Sequence, residues 1–496
     1  MVNVLLRGGR VVDPGGETDD VRDVHVVHGR IAAVGATLPV PEGADVIDVA
    51  GLVVGPGFID LHSHVHSIAG QRLQALDGVT TALDLEAGLM PLERAYREAA
   101  EEGRPLHYGF SASWGAARAQ VLAGVEPEAS IMKALGVLME PRWQATSTPA
   151  QLTQWLELLR DELAAGALGI GVLMGYAPRT DPKEYLAVAA LAAEAGVPTY
   201  THIRELVEAD PTVPVDGAEE LVRAAAETGA AMHHCHVNST SRRHVDRVLD
   251  TITRARDAGS RVTVEAYPYG AGSTGIGAYF LAPERLAAWG LRPSSLVLLP
   301  TGERIADEAR LREVRETAPG TACVVEYLDE EDPGDRALLQ RALAYPDAIV
   351  ASDAMPVLWT DGRTDTRDWP LPAGGSTHPR TAGTFTRALR TMVRQSGAWT
   401  WSEAFRRCSY LPARVLDEVA PSVRAKGHLG VGADADVVVL DPSTVTDTAT
   451  YLAPTSPSVG VRHLLVGGTP VVRDGELVQD AYPGRPVRGE PHERRS

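Results

Sequence analysis

The chain has 496 residues, 44% of them hydrophobic and 23% charged, a balance that permits a sizeable core and excludes wholesale disorder. Its length suits one large catalytic domain with an accessory one. A formal net charge of −18, from 47 basic against 65 acidic residues, repels a phosphate backbone, so no nucleic-acid partner is expected. The start, Met1-Val2-Asn3-Val4-Leu5-Leu6, lacks the basic and apolar pattern of an export signal, and no run approaches the roughly 18 apolar residues that a membrane span needs. Cys235, Cys323 and Cys408 are too scattered for a disulfide framework or a Cys-x-x-Cys zinc site. A cytoplasmic protein without a membrane partner is expected.

In chain order, Val4–Leu6, Val11–Val12, Val24–Val27, Ile31–Val34 and Val46–Val49 are short apolar runs separated by Gly and Asp turns, which predicts small antiparallel strands. Apolar runs then alternate with helical segments. Eight of them predict parallel strands: Val53–Leu61, Val79–Leu85, Leu106–Ser111, Ala167–Leu173, Pro198–His202, Ala231–His236, Val262–Tyr267 and Ala348–Ser352. Gly103, Gly166, Gly196, Gly229 and Gly259 each follow a helical stretch at the position of a left-handed cap. Eight βα units favour a closed (β/α)8 barrel over an open sheet. Asp436–Leu440, Val461–Val466 and Pro470–Val472 repeat the strand pattern of the start, so both chain ends are expected to build one β-sandwich. The expected organisation is 1–56 and 425–484 for the sandwich, 57–424 for the barrel with a lid at 279–345, and a disordered tail at 485–496.

The first barrel strand ends in Gly57-Phe58-Ile59-Asp60-Leu61-His62-Ser63-His64, and residues two apart on a strand project to one face, so both imidazoles can meet one metal. A lone His-x-His pair is weak evidence, since surface placement explains many such pairs. Three further strands end in kind: Thr201-His202 on the fifth, His234-Cys235-His236 on the sixth and Ser352-Asp353 on the eighth. Strand ends of a (β/α)8 barrel converge on its active site, which favours a metal centre of His62, His64, His202, His236 and Asp353. Taken alone, Asp353 reads better as a helix N-cap after Ser352, and the converging histidines turn the reading to catalysis.

The pattern resembles the amidohydrolase superfamily, and within it the D-aminoacylase or N-acyl-D-amino-acid deacylase branch. The resemblance covers almost the whole chain. It includes Ala167-Leu168-Gly169 with Gly175-Tyr176-Ala177-Pro178, Tyr267-Pro268-Tyr269 with Gly272-Ser273-Thr274, His378-Pro379-Arg380 with Gly383-Thr384-Phe385, and the run from Gly430 to Val438. It implies a zinc-dependent hydrolase of small-molecule amides, with one or two ions and compatible with a homo-oligomer. His62, His64 and Asp353 are implied to face one metal position, and His202 and His236 the other.

A bridging ligand is then required. The carboxylated lysine of many amidohydrolases is excluded, because Ala167–Met174 contains no Lys, and the cysteine that D-aminoacylases carry after the second strand is absent here. Glu86 is the expected bridge, with Asp84 the alternative and a structural acid the plain reading of either. Zinc-activated water, with Asp353 accepting its proton, is the implied chemistry. Arg380 is a candidate for the substrate carboxylate, against a surface salt bridge, and Tyr267 is a candidate pocket residue that could equally be packed.

Two departures stand out. Asn238 occupies a place where the branch typically has a substrate-binding lysine, and Glu265 replaces an Asp on the seventh strand. The expected substrate is an N-acyl-D-amino acid, cleaved at its amide. The alternatives are a cyclic amide, lactone, dipeptide or specialised metabolite, and a noncatalytic scaffold, against which the retained metal residues argue.

Overall fold

The computed structural model describes residues 2–131, 136–137 and 139–490. Five strands open the chain: β1 (Asn3–Asp13), β2 (Thr18–Val27), β3 (Arg30–Gly35), β4 (Asp45–Asp48) and β5 (Val53–Pro56). Then come β6 (Phe58–Asp60), β7 (Val79–Leu89), β8 (His107–Ser113), β9 (Ile170–Leu173), β10 (Thr199–His202), β11 (Met232–His234) and β12 (Val262–Ala266). They are followed by β13 (Ala271–Gly275), β14 (Leu296–Leu298), β15 (Ala322–Glu326), β16 (Ile349–Val350) and a short pair, β17 (Leu358–Trp359) with β18 (Gly375–Ser376). The chain closes with β19 (Val437–Leu440), β20 (Val461–Val466), β21 (Thr469–Arg473) and β22 (Glu476–Leu477).

Eight strands form one sheet in the order β16-β12-β11-β10-β9-β8-β7-β6, a (β/α)8 barrel with a separate sheet domain. All eight expected runs supply a strand. The intervening helices Pro182–Ala195 and Gly217–Thr228 end at Gly196 and Gly229, both left-handed. By compactness the chain divides into two units. One holds the residues up to Leu83 with Glu98–Gly109 and Ile349–Val487; the other holds Asp84–Arg97, Phe110–Ala348 and the described residues from Arg488.

Within the first unit both chain ends share a nine-stranded sheet, in the order β22-β21-β20-β19-β5-β1-β2-β3 with β4 on β1. Alternate residues point inward, so Val4, Leu6, Val24, Val26, Val437, Val439 and Leu465 meet in one buried core. The predicted strand Val53–Leu61 is in fact two. β5 pairs with β1 and β19 in the end sheet, and β6 pairs with β7 in the barrel. The chain passes from one sheet to the other at Gly57, where a Cβ would lie 2.2 Å from the Thr80 methyl. Gly57 N donates to the Asp436 carbonyl at 2.9 Å. The Asp436 carboxylate accepts from Lys426 Nζ at 2.5 Å and Gly467 N at 2.7 Å, and pairs with His107 Nε2 at 3.0 Å. Burial alone would raise that carboxyl, but Lys426 and His107 hold it well below the usual carboxylate range. The Ala433–Asp436 run thereby has a physical role in closing the end sheet.

In the second unit, the insertion expected at 279–345 is built on an antiparallel sheet, β13-β15-β14, which begins at Ala271, with the helices Glu308–Thr317 and Pro333–Ala344. The expectation of disorder from 485 is corrected for the stretch before 490. Arg485 O accepts from Tyr108 N at 3.2 Å, Val487 N donates to Tyr108 O at 2.7 Å, and Gly489 N donates to Gly166 O at 2.9 Å. Backbone pairing holds this segment despite its Pro, Gly and Arg content, and 491–496 lie outside the described residues. No helix among the described residues is long and apolar enough to cross a membrane.

Candidate metal centre

In the first unit, β6 ends at Asp60 and delivers His62 and His64 alongside the segment that follows β16. His64 N donates to Ala354 O at 2.9 Å, which sets the two segments side by side. His62 Nε2 and His64 Nε2 are 3.2 Å apart, and Asp353 Oδ1 lies 3.4 Å from the first and 3.6 Å from the second. Around a tetrahedral zinc with bonds near 2.1 Å, neighbouring ligand atoms sit about 3.4 Å apart. Three buried donors at that mutual spacing fit a common cation, and the donor chemistry, imidazole with carboxylate, suits zinc.

Asp353 has a φ of +51°, a left-handed backbone for a non-glycine residue. Its other oxygen, Oδ2, is 2.9 Å from Arg380 NH2, and Arg380 is fully buried. Arg380, the candidate for the substrate carboxylate, is buried beside Asp353 and does not form a surface bridge. The guanidinium is already paired, because the helix Arg380–Ala388 begins beside Asp353 and fixes its carboxylate.

Asp60 was not singled out in the sequence and is central to this arrangement. Its carboxylate accepts from His62 N at 3.2 Å, Ser352 N at 3.0 Å and Gln74 Nε2 at 3.0 Å, and from the Ser352 hydroxyl. Burial pushes its carboxyl up to about 7 against these hydrogen bonds. The available signal was its spacing, two residues before His62.

In the second unit Glu86, within β7, sets Oε1 at 3.1 Å from His202 Nδ1 and 2.8 Å from His236 Nε2. These three buried residues form a second candidate ligand group. Burial lowers the His202 pKa, which favours the neutral imidazole that binds metals. Asp84 accepts the Gly88 N–H at 3.3 Å. His236 adopts a φ of +34°, and Glu265 Oε1 accepts its N–H at 3.2 Å while Oε2 pairs with His233 at 2.9 Å. Glu265 therefore positions the end of β11, another contribution that sequence reasoning left as a mere departure. His234, pushed down to about 3 by burial, bonds Thr240 Oγ1 at 3.0 Å and stays a packed histidine.

Asn238 is buried and its amide serves the protein itself. Oδ1 accepts from Tyr267 N at 3.2 Å, and Nδ2 donates to Tyr327 OH at 2.8 Å and Tyr269 O at 3.4 Å. Asn238, a candidate for substrate binding, thus also holds the Tyr267–Tyr269 segment. Tyr267 is buried, with its ring 6.2 Å from that of His236.

The His202 ring lies against Gly175, where a Cβ would come within 2.5 Å of Cδ2 and 2.7 Å of the Ile203 carbonyl. Gly175→Ala is expected to displace that ring and lower bound metal by at least about half, since a clash this close forces a shift of the imidazole. Elemental analysis against the unsubstituted protein checks this; unchanged metal content would refute it.

Buried imidazole and carboxylate sets beside β/α barrel strands define a candidate metal centre. Residues 45–472 match the amidohydrolase family, and the chain belongs to that family, in its D-aminoacylase and N-acyl-D-amino-acid deacylase branch. It is 30% identical over 508 residues to the N-acyl-D-aspartate deacylase of Alcaligenes xylosoxydans xylosoxydans, covering 97% of this chain and 94% of that one. To the N-acyl-D-glutamate deacylase of the same organism it is 29% identical over 499 residues, covering 95% and 93%. Among solved structures it resembles the N-acyl-D-glutamate deacylase from Bordetella bronchiseptica complexed with zinc and a phosphonate inhibitor that mimics the tetrahedral intermediate. That likeness has a TM-score of 0.74 and 26% identity, over 98% of this chain and 99% of the other.

Proposed function

We propose that this chain is a zinc-dependent deacylase of N-acyl-D-amino acids. The observation that carries the reading is the triangle of His62 Nε2, His64 Nε2 and Asp353 Oδ1, spaced as ligands of one ion. Glu86, His202 and His236 form a further candidate ligand group, and the relatives that the chain resembles are named for acylated D-amino acids. Zinc, when bound, lowers the pKa of water to about 7 and polarises a carbonyl oxygen.

Asp353 is the proton carrier. Arg380 holds Oδ2 and fixes the orientation of the carboxylate, which would take a proton from the attacking water and hand it to the amide nitrogen. One C–O bond forms, the C–N bond breaks, and the products are a carboxylate and a free amine.

A second reading, hydrolysis of a cyclic amide, is favoured by the departures at Asn238 and Glu86. Assaying zinc-loaded protein on N-acetyl-D-amino acids, their L-enantiomers and cyclic amides decides between the two. Amine release from the D-compounds at a rate at least about 100-fold above the L-compounds is the expected outcome, since the site holds one face of the substrate to the attacking water. Turnover of cyclic amides alone would overturn it.

A further inference from the structure

The loop that follows Asp353 returns to the chain just beyond His64. Asp365, on that loop, turns its carboxylate onto the start of the helix Ile68–Leu76, where Oδ2 accepts from Ile68 N at 2.8 Å and Oδ1 from Ala69 N at 3.0 Å. The first N–H groups of a helix have no partner within it. Ser67, the N-cap, serves Gly70 N at 3.2 Å, and Asp365 serves the two before it. A carboxylate in this place is also favoured by the positive end of the helix dipole. Trp369 and Leu371 of the same loop pack against a buried cluster that includes Ala69 and Leu73 of the helix.

The helix passes this anchoring on to the metal ligands. All its residues from Ile68 to Leu76 are buried, so a shift in any direction disturbs packing. From its last turn Gln74 reaches both flanks of His62: Nε2 donates to Asp60 Oδ2 at 3.0 Å, and Oε1 accepts from Ser63 Oγ at 3.2 Å. Asp60 in turn accepts from Ser352 N, the neighbour of Asp353, at 3.0 Å. A ring of contacts therefore runs from the Asp353 loop through Asp365, the helix, Gln74 and Asp60 back to Ser352. Zinc–ligand distances hold to within about 0.2 Å, so segments this far apart in sequence need such a ring to keep their ligands in register.

We propose that Asp365 is a positioning residue for the metal position of His62, His64 and Asp353. By anchoring the helix Ile68–Leu76 it lets Gln74 hold Asp60 and Ser63, and so keeps the two imidazoles at the spacing a cation needs. Asp365 acts through the helix and not on the ion. This rests on the metal-dependent reading above.

The test loads cobalt(II) into protein carrying His202→Ala, which takes a ligand from the second group, and adds Asp365→Ala, Asp365→Asn or Gln74→Met to it. Chelator competition, visible absorption and melting temperature are measured. Asp365→Ala is expected to weaken cobalt binding about 10-fold and to alter the absorption bands that report ligand geometry, with Asp365→Asn, which keeps one acceptor oxygen, between it and the parent. Gln74→Met, of similar size, is expected to reproduce that loss from the far end of the helix. A lower melting temperature with unchanged cobalt affinity and spectrum overturns the proposal, as does a loss in Asp365→Ala that Gln74→Met does not share. If Asp365→Ala does not fold, Asp365→Asn with Gln74→Met decides on the same terms. If cobalt enters neither this background nor the chain with His202 intact, the metal-dependent reading fails, and hydrogen exchange at the His62 and His64 amides of the intact chain judges the anchor separately. The same measurement decides if the His202→Ala background does not fold. Exchange about 10-fold faster in Asp365→Ala or Asp365→Asn sustains the anchor, and equal exchange overturns it.

Discussion

Asp353→Asn is expected to reduce kcat by on the order of 1,000-fold, within the range that a positioned acid–base group contributes. The amide is nearly isosteric, so the hydrogen bond to Arg380 survives in part and His62 and His64 stay in place. What disappears is an oxygen able to hold a proton between the attack of water and the departure of the amine. Steady-state kinetics with elemental analysis of the same preparation separates the two consequences. A large fall in kcat with zinc retained supports the assignment of Asp353 as proton carrier, whereas activity within about tenfold of wild type would rule it out.

Removal of metal is expected to abolish turnover, leaving less than about 1% of activity, and to lower the melting temperature, with both restored by zinc. Without a cation, His62 and His64 still point their Nε2 atoms at each other across 3.2 Å, with Asp353 close by. Two imidazoles at that distance can share one proton in a hydrogen bond, but a second proton adds repulsion between buried charges. An ion that binds only the folded chain at about 100 times its dissociation constant contributes about 2.7 kcal/mol. Chelation followed by calorimetry and assay checks both effects. Full activity in a preparation shown by elemental analysis to be metal-free would refute the centre.

The barrel was legible because its signal is local. Each of eight apolar runs is short and followed by a helical stretch, and His202 and His236 announce themselves by ending such runs. The split at Gly57 was not read from the run Val53–Leu61, although Gly55-Pro56-Gly57 interrupts it, since the change of sheet is set by partners at Asp436 and Thr80. Asp60 was hidden for the same reason: its bond to Ser352 joins residues 292 apart, and no periodicity records it. Arg380 and Asn238 were singled out on residue type, yet burial gives them protein partners instead of open water. The sequence tells what a side chain can bind, and packing decides what is near enough to be bound.

Gly57 carries a further consequence. Five residues of backbone separate the barrel's first ligand from Pro56, which pairs with Val437 in a strand from the far end of the polypeptide. The last sixty residues are therefore not ornamental. Trimming them would unfasten the anchor from which the His62 loop hangs, so β19 and the His62 loop stand or fall together.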